Sequence, residues 1–148
     1  MKFKIATLTI LALAVVGVSL TTLRAQSDTR SVWDGVFTED QAKRGQAAYN
    51  ENCSSCHGDS LTGGEMAPAL AGGDFQSNWN GLTMGDLYDR IRTTMPLNKP
   101  GKLSREVNAD ILAYILRVNQ FPAGQTELPH QSEVLKLIRF ESVKPDKK

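Results

Sequence analysis

Cys53-Ser54-Ser55-Cys56-His57 holds the only two cysteines of the chain and one of its two histidines. A CxxCH run is the attachment signature of c-type haem, and its spacing has a mechanical basis. One helical turn brings both sulfurs to the same side, where each can add to a haem vinyl group as a thioether. His57, the next residue, is then placed to offer its imidazole to the iron. A redox-active Cys-Cys pair accounts for the two thiols but leaves His57 without a role. A closed zinc site needs four ligands, and outside the motif the chain has no further Cys and only His130.

The chain around this motif has 148 residues, 41% of them apolar and 22% charged, which suits one ordinary folded domain. Seventeen Lys and Arg against sixteen Asp and Glu give a net charge of +1. That balance argues against nucleic acid, or an anionic membrane surface, as a charge-recruited partner. The charge is unevenly spread: residues 26–75 hold eight acids and three bases, and residues 76–148 hold eight acids and eleven bases.

Met1-Lys2-Phe3-Lys4 is basic, and the stretch after it, residues 5–20, carries no charge. This reads as a secretory signal with cleavage after Ala25. The other reading is an uncleaved anchor, because residues 5–23 approach the ~20 apolar residues that span a bilayer. Either way the domain is exported, and a periplasmic location is expected, with membrane contact only if the segment is retained. The expected organisation is a signal peptide at 1–25, an N-terminal extension at 26–37, the main domain at 38–120 and a C-terminal extension at 121–148.

Thr38-Glu39-Asp40-Gln41 fits a capping box, so a helix is expected from Thr38 up to Cys53, with Ala42, Gly45, Ala48 and Tyr49 on one face. Gly45 inside it points to a close helix crossing. Residues 58–81 hold six glycines and Pro68 and read as a long loop, of the kind that wraps something or is functional. Helical periodicity returns over 83–94, through Met84, Leu87, Tyr88 and Ile91, and is strongest after Ser104, through Val107, Ile111, Leu112, Tyr114, Ile115 and Val118. A short last helix is expected within 132–140, and residues 144–148 should fray. No strand alternation is visible, so an all-α domain with three to five helices is expected.

With these residues in view, positions 38–120 resemble a class I c-type cytochrome. Gly45 and Tyr49 match the family's N-terminal helix, and Ile111 and Tyr114 match the pair on the C-terminal helix that it crosses. Residues 33–37, Thr93-Thr94-Met95-Pro96, Ala113-Tyr114-Ile115-Leu116 and the run from Asn119 to Gly124 are similar to small bacterial cytochromes associated with quinoprotein alcohol dehydrogenases. Related domains also serve terminal oxidases. The resemblance implies the class I cytochrome c fold, with long loops wrapped around one haem c covalently attached through Cys53 and Cys56 and ligated by His57.

For the sixth iron ligand the candidates are Met66, Met84, Met95 and His130. Met84 lies on an apolar helix face, Met66 is only nine residues past His57, and His130 lies outside the matched region. Met95 follows a helix, precedes Pro96, and resembles the family's axial methionine; a neutral thioether favours low-spin iron and a raised potential. A Met95 that packs without ligating, and His130 as ligand, are the alternatives. Ala67-Pro68-Ala69-Leu70 resembles the family segment whose proline carbonyl takes the proximal histidine's hydrogen bond, which implies that role for Pro68 and haem packing for Leu70. Trp79 and Tyr88 are further residues able to reach a propionate or to fill the core.

The function these features imply is single-electron transfer in the periplasm by a monohaem carrier that is not itself an enzyme. Its partners would be a donor dehydrogenase, with a quinoprotein alcohol dehydrogenase or a terminal oxidase as candidates, and an acceptor in a respiratory chain. An open sixth position would instead give gas or peroxide chemistry. A third reading, a permanent cytochrome subunit of a quinoprotein dehydrogenase or oxidase, uses the same site residues.

Overall fold

Thr38 opens the first long helix because its extended backbone turns the side chain back onto the Gln41 amide at 3.1 Å, one of the donors that a first turn leaves unpaired. In the computed structural model, which describes residues 29–146, this helix is α1 (Glu39–Asn52). Only half of the expected capping box forms. The Gln41 side chain is buried and bonds both backbone groups of Leu128 instead, donating to its carbonyl at 3.0 Å and accepting from its amide at 2.7 Å. A buried amide satisfied on both sides outweighs one exposed cap bond, so Gln41 holds the C-terminal segment rather than its own helix start. The N-terminal segment 1–25, read as a signal peptide, lies outside the described residues.

The other elements follow as α2 (Ser54–His57), α3 (Gly73–Trp79), α4 (Met84–Thr94), α5 (Arg105–Val118) and α6 (Ser132–Leu135). The described residues thus form six α-helices, two of them only four residues long, where three to five were expected. α4 is closed by a full capping box between Thr83 and Asp86, whose carboxyl is held below the usual range by the Thr83 hydroxyl and amide. Ser104 caps α5 through the Val107 amide at 3.2 Å.

The expected 58–81 loop contains α3, which periodicity did not signal. Phe75 and Trp79 are its only large apolar residues, and no side chain caps it. What holds it is tertiary: Phe75 is buried edge-on to Phe140, with ring centroids 5.9 Å apart.

Among the described residues, α1 and α5 make the most extensive helix contact. Gly45 permits it, since a Cβ there would overlap the Asp110 carbonyl. Tyr49 packs on Tyr114 beside that contact, at 5.3 Å between centroids. Arg44 forks onto both Asp110 oxygens at 3.0 Å and reaches Glu127 at 2.9 Å, across the crossing and into the C-terminal extension.

The extensions meet each other. β1 (Arg30–Ser31) pairs in parallel with β2 (Ile138–Arg139), Arg30 opposite Ile138 and Ser31 opposite Arg139. Trp33, in a 3₁₀ turn at Val32–Asp34, donates its indole N–H to the Glu141 carbonyl at 2.8 Å and stands edge-on to Phe121, which in turn packs on Phe140. Strands of two residues are too short to carry an alternation. The last helix takes only the first part of the 132–140 stretch: it ends at Leu135 and residues 138–139 form β2, with Leu135, Ile138 and Phe140 buried while Val134 and Leu137 stay half-exposed. Among the described residues, no helix is long and apolar enough to cross a membrane.

Candidate functional site

Cys53 ends α1 and starts α2. Its amide donates to the Tyr49 carbonyl at 2.8 Å, and its own carbonyl accepts from the amides of Cys56 at 3.2 Å and His57 at 3.0 Å. This closes the single turn that the motif requires. Cys53 is partly buried and Cys56 exposed. Burial, with the neighbouring Cys56 adding to it, pushes the Cys53 thiol up to about 11. A reactive dithiol needs the opposite, a thiol shifted toward thiolate by positive surroundings. Among the described residues, no three His, Cys, Asp or Glu converge on a metal position, so the zinc alternative has no ligand set.

His57 is buried, and its Nδ1 lies 2.8 Å from the Pro68 carbonyl oxygen. A carbonyl only accepts, so Nδ1 carries the proton and Nε2 keeps its lone pair for a metal. The loop that makes this contact is built on Gly63, whose φ is +71°. A Cβ at Gly63 would run into the backbone of Ala67, Pro68 and Ala69, so the loop can fold back under the imidazole only with glycine there. The Gly63 amide donates to the His57 carbonyl and the Gly64 amide to Ala67, both at 2.9 Å. From α1, the buried Tyr49 hydroxyl donates to the Gly58 carbonyl at 2.7 Å, and burial raises its phenol above the ordinary tyrosine range.

Met95 caps the C-terminus of α4 in extended conformation, its amide still donating to Ile91 at 2.9 Å. Cys53, Cys56, His57, Pro68, Leu70 and Met95 all line one cavity of about 660 Å³, within the roughly 300–1,000 Å³ usual for cofactor sites. Its apolar walls come from Leu70, Leu87, Ile91, Ile111 and Ile115, so α4, α5 and the 58–72 loop all contribute. Two thiols, an imidazole with a free Nε2, a thioether from a distant segment and an apolar enclosure are the donor set that a covalently attached haem takes. The residues present fit the group.

Of the other sixth-ligand candidates, Met84 is fully buried in the core, away from the cavity. His130 lies outside the cavity too, 3.5 Å from a Glu106 carboxylate oxygen. Met66 does border the cavity but is 82% exposed. Tyr88 is structural, its hydroxyl donating to the carbonyls of Arg105 and His130, and Trp79 packs on Phe75 outside the cavity. The periodicity of Leu87, Ile91, Ile111 and Ile115 marks apolar faces, but a cavity wall and a core contact give the same periodicity. Leu97, Arg90 and Lys99, which also line the cavity, carry no local signal in the sequence for that role.

The family described as cytochrome c oxidase, cbb3-type, subunit III matches residues 40–115 of this chain. No curated protein gives a significant sequence match. Among solved structures, the chain is similar to the sulfane dehydrogenase SoxCD from Paracoccus pantotrophus, at 24% identity and a TM-score of 0.51, over 88% of this chain and 72% of that one. At that identity the likeness is one of fold.

Proposed function

This chain belongs to the family of c-type cytochrome domains described as cytochrome c oxidase, cbb3-type, subunit III, and on that footing we propose that it is an exported one-electron carrier with a single haem c. Cys53 and Cys56 are its thioether residues, His57 and Met95 its axial ligands. Pro68 holds the imidazole tautomer through its carbonyl, and Leu70 packs against the ring. When bound, the haem supplies an iron that accepts and releases one electron. The chain's own residues supply the rest. The Nδ1–H bond to Pro68 at 2.8 Å makes His57 a stronger donor, and the walls from α4 and α5 exclude water. His57 and Met95, which line the same cavity, would both hold its iron, so that no ligand need be exchanged when an electron is gained or lost.

The observation that carries this reading is the convergence of Cys53, Cys56, His57 and Met95 on one apolar cavity. Met66 and Leu97, 82% and 79% exposed, border the same cavity beside Arg90 and Lys99. They form an apolar rim at which a redox protein can approach. Weak docking is expected there, with less than ~1,200 Å² buried, because turnover requires fast release. Export to the periplasm rests on the basic start and uncharged segment of residues 1–25.

The test is the visible spectrum of protein exported with haem-attachment machinery, reduced and oxidised, before and after carbon monoxide. A low-spin spectrum indifferent to carbon monoxide is the expected result. A high-spin spectrum that shifts with carbon monoxide would replace electron transfer by gas or peroxide chemistry. A second reading, a permanently docked subunit, draws support from the family's description as an oxidase subunit; co-purification with a quinoprotein dehydrogenase or an oxidase at high salt would establish it over the free carrier.

A further inference from the structure

The bond from His57 to Pro68 depends on where the Pro68 carbonyl sits, and Pro68 has no amide of its own to anchor it. The chain around it is held from neighbouring residues. On one side, Gly63 and Gly64 tie the loop to His57 and Ala67. On the other, the Leu70 amide donates to Leu61 at 2.8 Å, and the Leu70 carbonyl accepts from the Asn119 side chain at 2.9 Å. Asn119 sits at the end of α5, 49 residues away in sequence, and is buried.

Every arm of its amide is used. Nδ2 donates to the carbonyls of Leu70 and Ile115, both at 2.9 Å, while Oδ1 accepts from the Gly72 amide at 3.1 Å and from Gln76 Nε2 at 3.3 Å. A helix C-cap needs only the local contact with Ile115. The bonds to Leu70 and Gly72 reach across to the loop, and they refer it to α5, the helix locked onto α1 at Gly45.

We propose that Asn119 is a positioning residue for the axial imidazole: by clamping the Leu70 and Gly72 backbone to α5, it fixes the segment on which the Pro68 carbonyl receives the His57 Nδ1–H. This rests on His57 as an iron ligand. A carbonyl held at short distance draws the Nδ1 proton and makes the imidazole a better donor to Fe(III). Loosening the clamp therefore weakens that donation and favours Fe(II).

The test uses the haem-loaded protein with Asn119→Ala and Asn119→Asp, the second of equal size and retaining an acceptor for Gly72 while losing the donor to Leu70. Two readouts are followed: solvent exchange of the His57 Nδ1 proton by NMR, and the reduction potential. Both variants should speed the exchange roughly ten-fold, the effect of losing about one buried hydrogen bond, and both should raise the potential. Gln76→Ala, which removes a bond to Asn119 but none to Leu70, should move neither.

A loss of thermal stability with exchange and potential unchanged would make Asn119 a plain helix cap and overturn the proposal. So would equal shifts in Gln76→Ala, or failure of both Asn119 variants to retain haem. Wild-type spectra lacking the resonances of an iron-bound imidazole would instead overturn the ligand assignment of His57; bound but unmoved resonances in the variants would overturn only the role of Asn119.

Discussion

The α-carbon of Gly45 and the carbonyl of Asp110 approach so closely that no side chain fits between α1 and α5. The obstacle is backbone, which cannot swing aside as a side chain can. Gly45→Ala should therefore destabilise the protein by at least about 1–3 kcal/mol through overpacking, although alanine is the better helix former. Denaturant midpoints of the two proteins measure this, and an alanine variant as stable as the parent would contradict the described crossing.

Met95→Ala removes the thioether while leaving the α4 amide bond to Ile91 in place. The reduction potential should fall, because loss of the thioether removes a ligand that favours Fe(II). The reduced protein should also bind carbon monoxide at the vacated position. An unchanged potential together with continued exclusion of carbon monoxide would reject Met95 and return Met66 to consideration, as the remaining methionine that borders the cavity.

Replacing Cys53 and Cys56 together by alanine should leave haem extractable into acidified organic solvent, whereas the parent protein should keep it on the polypeptide. The paired replacement matters, because either sulfur alone would retain the group.

Tyr49→Phe deletes the 2.7 Å bond to the Gly58 carbonyl, directly after His57, and should lower stability by ~1 kcal/mol. The loss should depend on pH. An unfolded tyrosine titrates near ~10, and burial raises the folded Tyr49 above that. The folded state thus holds this proton more tightly. Its contribution is complete below pH ~10 and disappears as the pH rises through the folded value. The parent's advantage over the variant should stay constant between pH ~6 and ~9 and shrink above pH ~10; an advantage that grows in alkali would contradict the assignment.

Much of this was legible in the sequence for local reasons. Thr38 and Ser104 announce their helices because capping is a contact between residues two or three positions apart. The CxxCH turn works the same way, and Gly45 signals its crossing by being a poor helix residue in a good helix. Where the structure departs from expectation, the cause is a partner far along the chain. Gln41 abandons its capping role for Leu128, 87 positions away. α3 forms because Phe75 finds Phe140, and the run after Leu135 becomes a strand because Arg30 lies opposite Ile138. Asn119 stands in the 119–124 run only as part of a resemblance, and its bonds to Leu70 and Gly72, 49 and 47 positions away, carry no local signal. The convergence of His57, Pro68 and Met95 on one cavity was reached through resemblance, since no spacing rule connects a loop carbonyl to an imidazole eleven residues earlier.

The seam between the extensions has a kinetic consequence. Bringing Arg44 to Asp110 closes 66 residues, and bringing Trp33 to Glu141 closes 108. Closure entropy grows only with the logarithm of length, so the longer loop is disfavoured by just ~0.4 kcal/mol more. Once α1 lies on α5, even that difference shrinks, because only the flanks outside the crossing remain to be ordered. The seam should zip up behind the crossing and come apart ahead of it, as a separate small unit of opening. In hydrogen exchange, the Arg30 amide, bonded at 3.0 Å to Leu137, should therefore lose its protection while the amides of α5 still keep theirs. The two ends can then let go of each other without letting go of the cofactor.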